Sequence, residues 1–245
     1  MIFALKKAFR IESSNVSALI ANIINSFIYM ITSIVLVLTF VAIKETENYS
    51  RDFLLCLFFG FQSATNLFWI FFTGVINYPF TRIGREDEKY FMYPRSVLSS
   101  VILDGVTVFD FPLFLINYCL FVLFGINEGI NLLFCLIPFF GSLILASCFV
   151  IIAALIFITR FFQNVASFIF MISEMAQYPA SIYPLVIKIV LIFIPLSFVT
   201  YYPLQWIVEM RLVYFGAVLI GAVILFAISA CFFAMLSKKR NEIYD

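Results

Sequence analysis

Six apolar stretches dominate the hydrophobic pattern of the chain, separated by short polar or proline-marked segments. They fall at about residues 21–43, 53–76, 96–124, 130–158, 161–178 and 210–236. A helix rises about 1.5 Å per residue, so even the shortest covers roughly 27 Å, enough to cross the apolar layer of a bilayer once. Between the fifth and sixth, residues 179–209 are also apolar but carry Pro179, Pro184, Pro195 and Pro203, half of the chain's eight prolines. Each proline ring removes a backbone donor and clashes with the preceding turn. The pieces left between them are roughly ten residues long, too short to span. The pattern predicts an all-α polytopic membrane protein, with six transmembrane helices and a re-entrant outer hairpin between spans five and six. Broken backbone survives at membrane depth only where protein or water satisfies it, which puts the hairpin inside a bundle or at a pathway mouth.

Polar residues inside the spans recur at helical spacing. Asn22, Asn25, Tyr29 and Thr32 share a face of the first span, and Gln62, Asn66, Trp69 and Thr73 share one of the second. The fifth carries Asn164, Ser167, Glu174 and Tyr178. Such stripes serve either as helix-packing glue or as a pathway lining. The third span holds Asp104, Asp110, Pro112 and Asn117. Acids inside a membrane are costly, and both a structural pairing and a functional role are compatible with that cost. The sixth span has Gly216, Ala217, Gly221 and Ala222, small residues that suit close helix contact.

The connecting segments differ in character. Residues 1–18 interleave Phe3, Leu5, Phe9 and Ile11 with Lys6, Lys7 and Arg10, the pattern of an interfacial amphipathic helix. Residues 78–95, bracketed by two Tyr-Pro pairs that mark element boundaries, alternate Arg82, Arg85 and Lys89 with Glu86, Asp87 and Glu88. A short surface helix carrying this mixed charge is expected there. In the proline-rich segment Lys188 stands alone among apolar residues. A lysine near the membrane surface can snorkel to water, whereas one at mid-bilayer cannot. The hairpin is therefore expected to dip into the outer leaflet, turn near Ile194-Pro195 and return, with Tyr201, Tyr202 and Trp206 at the interface.

Composition sharpens the class. Hydrophobic residues make up 64% of the 245, charged residues only 12%, and the mean hydropathy is +1.10, which no soluble domain of this size accommodates. The net charge of +1 gives no global field for nucleic acid. Its distribution is informative: Lys6, Lys7, Arg10, Arg82, Arg85, Lys89, Arg95, Arg160, Lys238, Lys239 and Arg240 share one side if both termini do. Only Lys44, Arg51, Lys188 and Arg211 then fall on the other, and the basic excess marks the cytoplasmic side. That bias requires residues 161–208 to make one net crossing, as a span followed by a re-entrant hairpin does.

Chemistry-bearing patterns are sparse. There is no histidine, and the five cysteines (Cys56, Cys119, Cys135, Cys148 and Cys231) lie scattered in apolar runs, so neither a zinc site nor a nucleophile–histidine pair is expected. No Gly-Lys pair exists, so the chain has no phosphate-cradling loop. Leu103-Asp104-Gly105 is not the context of an intramembrane aspartyl protease, and no catalytic or metal-binding residue is expected.

The run Tyr178-Pro179-x-x-Ile182-Tyr183-Pro184, followed by Ile194-Pro195-Leu196 and Tyr201-Tyr202-Pro203, resembles the fifth-span and outer-hairpin region of ABC-2 type transporter permeases. It is most similar to bacterial permeases that work as two half-permeases with a separate ATPase, although many family members place Asn where Ile194 stands. The resemblance implies a single permease domain over residues 1–245 in the bacterial cytoplasmic membrane, exporting a substrate as a dimer with itself or a sister permease. ATP and Mg would be bound by the partner ATPase and no cofactor by this chain. It further implies that residues 78–95 dock on the ATPase through Arg82, Arg85, Glu86, Asp87, Glu88 and Lys89, and that Asn25, Tyr29, Asn66 and Glu174 line the route. Asp110 joins the route candidates, and Pro184, Lys188, Pro195, Tyr202 and Pro203 form the candidate outer gate. The competing readings are a secondary transporter, which would be expected to show repeat symmetry that this sequence lacks, and a non-catalytic membrane scaffold.

Overall fold

The computed structural model describes residues 49–83, 88–92, 96–158 and 162–244, together with scattered helical positions between residues 6 and 39. Most of the expected interfacial helix and first span, Tyr29 among them, lies outside the described residues, as do residues 84–87 and 93–95. Every regular element described is helical. Among the described residues, three helices are long and apolar enough to cross a membrane: Arg51–Thr81, Leu132–Leu155 and Leu212–Lys238.

Helix α1 (Arg51–Ile83) forms the core of the bundle. Ser50 Oγ accepts from the Phe53 amide at 3.0 Å, and Asp52 sits in the first turn, where the helix dipole favours an acid. The most apolar window of this helix is 83% buried. At 33 residues it is about 50 Å long, well beyond the apolar thickness of a bilayer, so one end projects out of it. The boundary expected at Tyr78-Pro79 is absent, because the helix continues through Pro79 to Ile83. A proline inside a helix costs about 3 kcal/mol. Here the flanking Tyr78 ring is locked into a buried aromatic group, 5.5 Å from Phe233, 5.9 Å from Phe157 and 6.2 Å from Tyr90.

A second short helix, α2 (Glu88–Phe91), precedes the expected third span, which is broken in two. Helix α3 (Val97–Asp104) starts at Ser96, whose Oγ accepts from the Ser99 amide at 3.3 Å. Helix α4 (Phe111–Asn127) begins after a turn, with Pro112 in its first turn, where a missing donor costs nothing. Gly105 causes the interruption. It lies against Gly74 of α1 so closely that a Cβ on either residue would run into the other helix's backbone. That approach lets the Thr107 amide donate to the Ile70 carbonyl at 3.0 Å, so the broken backbone finds its partner within the protein.

After a left-handed Gly129 (φ +70°), a 3₁₀ turn (Leu132–Leu136) leads into α5 (Ile137–Leu155), which packs between α1 and the last helix. Helix α6 (Phe162–Ser173) tightens into a 3₁₀ turn (Glu174–Gln177) before Tyr178-Pro179. The proline-rich segment then comes in short pieces, as its prolines dictate: Ala180–Ile182, α7 (Leu185–Phe193), Leu196–Phe198 and α8 (Tyr201–Val208). The final helix, α9 (Leu212–Tyr244), has only 17% of its most apolar window buried, so it forms the outside of the bundle. Ala222 packs into the core, but Gly216 and Gly221 face open space among the described residues. Close contact through those two glycines does not occur among the described residues.

Two apolar clusters mark the ends of the bundle. At one, Tyr78, Tyr90, Leu98, Val101, Ile156 and Phe233 meet; at the other, residues 53–59 meet Phe121, Phe134, Tyr201, Leu204 and Ile207.

Candidate functional site

The broken segment is held against the Tyr49 end of the bundle. Tyr49 OH bonds Ser181 Oγ at 3.1 Å and Tyr201 OH at 2.8 Å, so one phenol touches both the beginning and the later part of the segment. Between these points Leu191, Leu196 and Val199 are fully buried. The Val199 carbonyl lies over Gly141, 2.7 Å from where a Cβ would stand, and the Thr200 side chain lies over Gly60. Small residues on α1 and α5 thus form a notch for the stretch after Pro195. An aromatic series continues outward: Phe198 to Tyr202 at 5.1 Å, Tyr202 stacked on Trp206 at 5.6 Å, and Trp206 to Tyr214 at 5.6 Å.

Among the gate candidates, Pro195 precedes the buried 3₁₀ turn and Pro203 is buried in the first turn of α8. Tyr202 is half-buried within the aromatic series. Pro184 is exposed at the start of α7, and Lys188 is half-buried on that helix, whose outer face presents Leu185, Val186 and Phe193.

The route candidates are spread over several elements. Asn66 is buried on α1 and Glu174 is exposed at the start of a 3₁₀ turn. Asp110 stands just before α4, making no capping bond to that helix. Asn25 is an exposed helical position. What the structure does join is Gln62 to Gln177, Nε2 to Oε1 at 3.4 Å, tying the polar face of α1 to the end of the α6 segment. Asn66 Nδ2 and Asn117 Oδ1 are buried with no hydrogen-bond partner among the described residues, as are Ser197 Oγ and Thr200 Oγ1 in the segment after Pro195. Leaving such a group unpaired costs about 1–3 kcal/mol.

A cavity of about 440 Å³ opens at the Tyr49 end, lined by Tyr49, Ser50, Phe53, Glu128, Gln205, Val208 and Glu209. Glu209 accepts from Gln205 Nε2 at 2.8 Å and pairs with Arg211 Nε at 3.1 Å. Sequence reasoning missed this group, since its members come from three separate stretches with no common spacing. Tyr49 and Gln177 were missed likewise.

At the opposite end, Asp104 collects partners from separate parts of the chain. Its Oδ1 accepts from Lys7 Nζ at 3.2 Å, and its Oδ2 from Lys89 Nζ at 3.3 Å and Tyr90 OH at 3.1 Å. Partial burial disfavours the Lys89 ammonium, but the neighbouring Tyr90 and the Asp104 carboxylate outweigh it and raise the lysine pKa above its ordinary value. Of the other docking candidates, Glu88 is exposed on α2, and Arg82 lies in the last turn of α1. Arg85, Glu86 and Asp87 lie outside the described residues.

Among the described residues, three crossing-length apolar helices and a proline-broken segment packed on one end of the bundle fit a membrane protein. The model of the ABC-2 family transporter protein matches residues 23–239, and the chain belongs to that family. Comparison with curated proteins and with solved structures finds no match.

Proposed function

We propose that the chain is the membrane-spanning half of an ABC-type exporter, working as a dimer with itself or a sister permease and driven by separate ATPase subunits that bind ATP and Mg. The family match over residues 23–239 carries this reading. The chain is not itself an enzyme and binds no cofactor. It crosses the bacterial cytoplasmic membrane six times, with an interfacial N-terminal helix and both termini inside. Residues 179–209 re-enter from the outer side; the double attachment at Tyr49 and the burial of Val199 over Gly141 support that course. The segment after Pro195 then closes the outer end of a route lined by Asn25, Tyr29, Asn66, Asp110 and Glu174. Asn66 Nδ2 and Asn117 Oδ1, buried without a partner among the described residues, support a route that takes up water or substrate over a sealed scaffold.

Topology is testable by cysteine labelling. Cysteines introduced at Glu47 and Glu128 should react with an impermeant maleimide added outside, and those at Glu88 and Lys239 only after permeabilisation. Labelling of Lys239→Cys in intact cells would break the six-span arrangement.

The segment from Arg82 to Lys89 docks on the ATPase through a polar, reversible contact. Swapping charge with Arg85→Glu and Glu86→Arg together should release the ATPase, or disconnect its hydrolysis from the permease, while the purified permease stays monodisperse. Unchanged ATPase binding and unchanged permease-dependent hydrolysis would contradict the docking assignment.

A further inference from the structure

We propose that Asp104 is a positioning residue that fastens the ATPase-docking segment and the basic N-terminal segment to the break between α3 and α4, so that movement of the docked loop reaches the transmembrane bundle. The proposal rests on the exporter reading and names the part of the chain that transmits its stroke.

One carboxylate holds Lys7, 97 residues before it in the sequence, together with Lys89 and Tyr90. The Lys89 ammonium also lies 4.9 Å over the Tyr90 ring. Tyr90 is buried against Tyr78 of α1, so α2 is anchored on one side by an aromatic contact and on the other by the acid. Asp104 is the last residue of α3, immediately before Gly105, whose contact with Gly74 sets the α3–α4 break. A pull on α2 or on Lys7 is therefore delivered to the one place where the third span is already interrupted. Half-exposed ion pairs contribute little stability, typically below about 1 kcal/mol each. A role in global folding is thus a poor account of an acid with this set of partners, whereas orienting two surface segments requires only modest energy.

The test uses the permease with its ATPase in lipid nanodiscs, in a background with the five native cysteines replaced. A single cysteine at Gln205, beside the outer-end cavity, reports on the far side of the bundle by its maleimide labelling rate with and without Mg-ATP. The parent should show a several-fold change on ATP addition. Asp104→Asn, which keeps shape but loses charge, should bind ATPase normally and lose most of that change, and Asp104→Glu should restore it. Should Asp104→Asn prove unstable, Lys7→Gln with Tyr90→Phe removes two of its three contacts from the other side without touching a docking residue. The double variant should lose most of the response while still binding the ATPase, since the groups act as one unit. An Asp104→Asn or Lys7→Gln/Tyr90→Phe complex that responds like its parent overturns the proposal while leaving the exporter reading intact. A parent that binds no ATPase overturns the exporter reading, and the proposal falls with it.

Discussion

Gly105→Ala should be among the most damaging single-methyl changes in this chain, lowering the yield of folded, monodisperse protein sharply. The added Cβ meets the backbone of Gly74 and Thr73, which has no flexible side chain to yield. Overpacking of that kind costs about 1–3 kcal/mol or more. The helix-propensity gain of Gly to Ala, at most about 1 kcal/mol, is too small to offset it. Any shift that relieves the clash also draws the Thr107 amide away from the Ile70 carbonyl, leaving a backbone donor unpaired at the break. Gly216→Ala is the control. A Cβ there meets nothing among the described residues, so the same substitution should be neutral or slightly stabilising. Thermal unfolding in detergent distinguishes them: a lowered midpoint for Gly105→Ala beside an unchanged one for Gly216→Ala is expected. Equal midpoints would mean that the two helices do not approach as closely as described.

Pro195→Ala should abolish export while leaving assembly nearly intact. Pro195 sits between α7 and α8, in a stretch that returns to α1 and α5 over Gly60 and Gly141. A proline inside a helix costs about 3 kcal/mol, and that cost keeps the pieces on either side from fusing. Removing a proline that fits its backbone destabilises the fold by only about 0.4–1 kcal/mol through the unfolded chain. The substitution therefore changes the shape of the segment far more than it changes global stability. Slower amide exchange across residues 193–199, together with lost export and a normal yield, is the expected result. Normal export from a variant with that slowed exchange would show that the segment after Pro195 is no gate.

Much of the architecture is legible from local chemistry, because lipid imposes length and polarity rules that composition reveals directly. The apolar runs that became α1, α5 and α9 needed nothing beyond their hydropathy. Prolines located the fragmentation of residues 179–209 because each one lacks a donor and cannot continue a helix from before it. The same rule failed at Pro79, where burial of Tyr78 among Tyr90, Phe157 and Phe233 overrode the local cost. It failed in the opposite sense at Asp104–Gly105. Pro112 marks only the restart at α4; the break itself opens at Gly105 and depends on Gly74 in the preceding span, which no local pattern reveals. The candidate site divides in the same way. Asn66 was visible as part of a periodic stripe, whereas Gln177, Tyr49 and the Lys7–Asp104–Lys89 group come together only through tertiary packing.

The central claim is that this chain is the membrane half of a machine whose energy comes from another polypeptide. Purification in mild detergent from its native membrane, followed by mass spectrometry of everything that co-elutes, tests that claim most directly. The account predicts a polypeptide with a phosphate-binding P-loop, present in equal amount to the permease chains, whose ATP hydrolysis rate changes when the permease is removed. A permease that elutes alone, or only with proteins lacking such a loop, would contradict it.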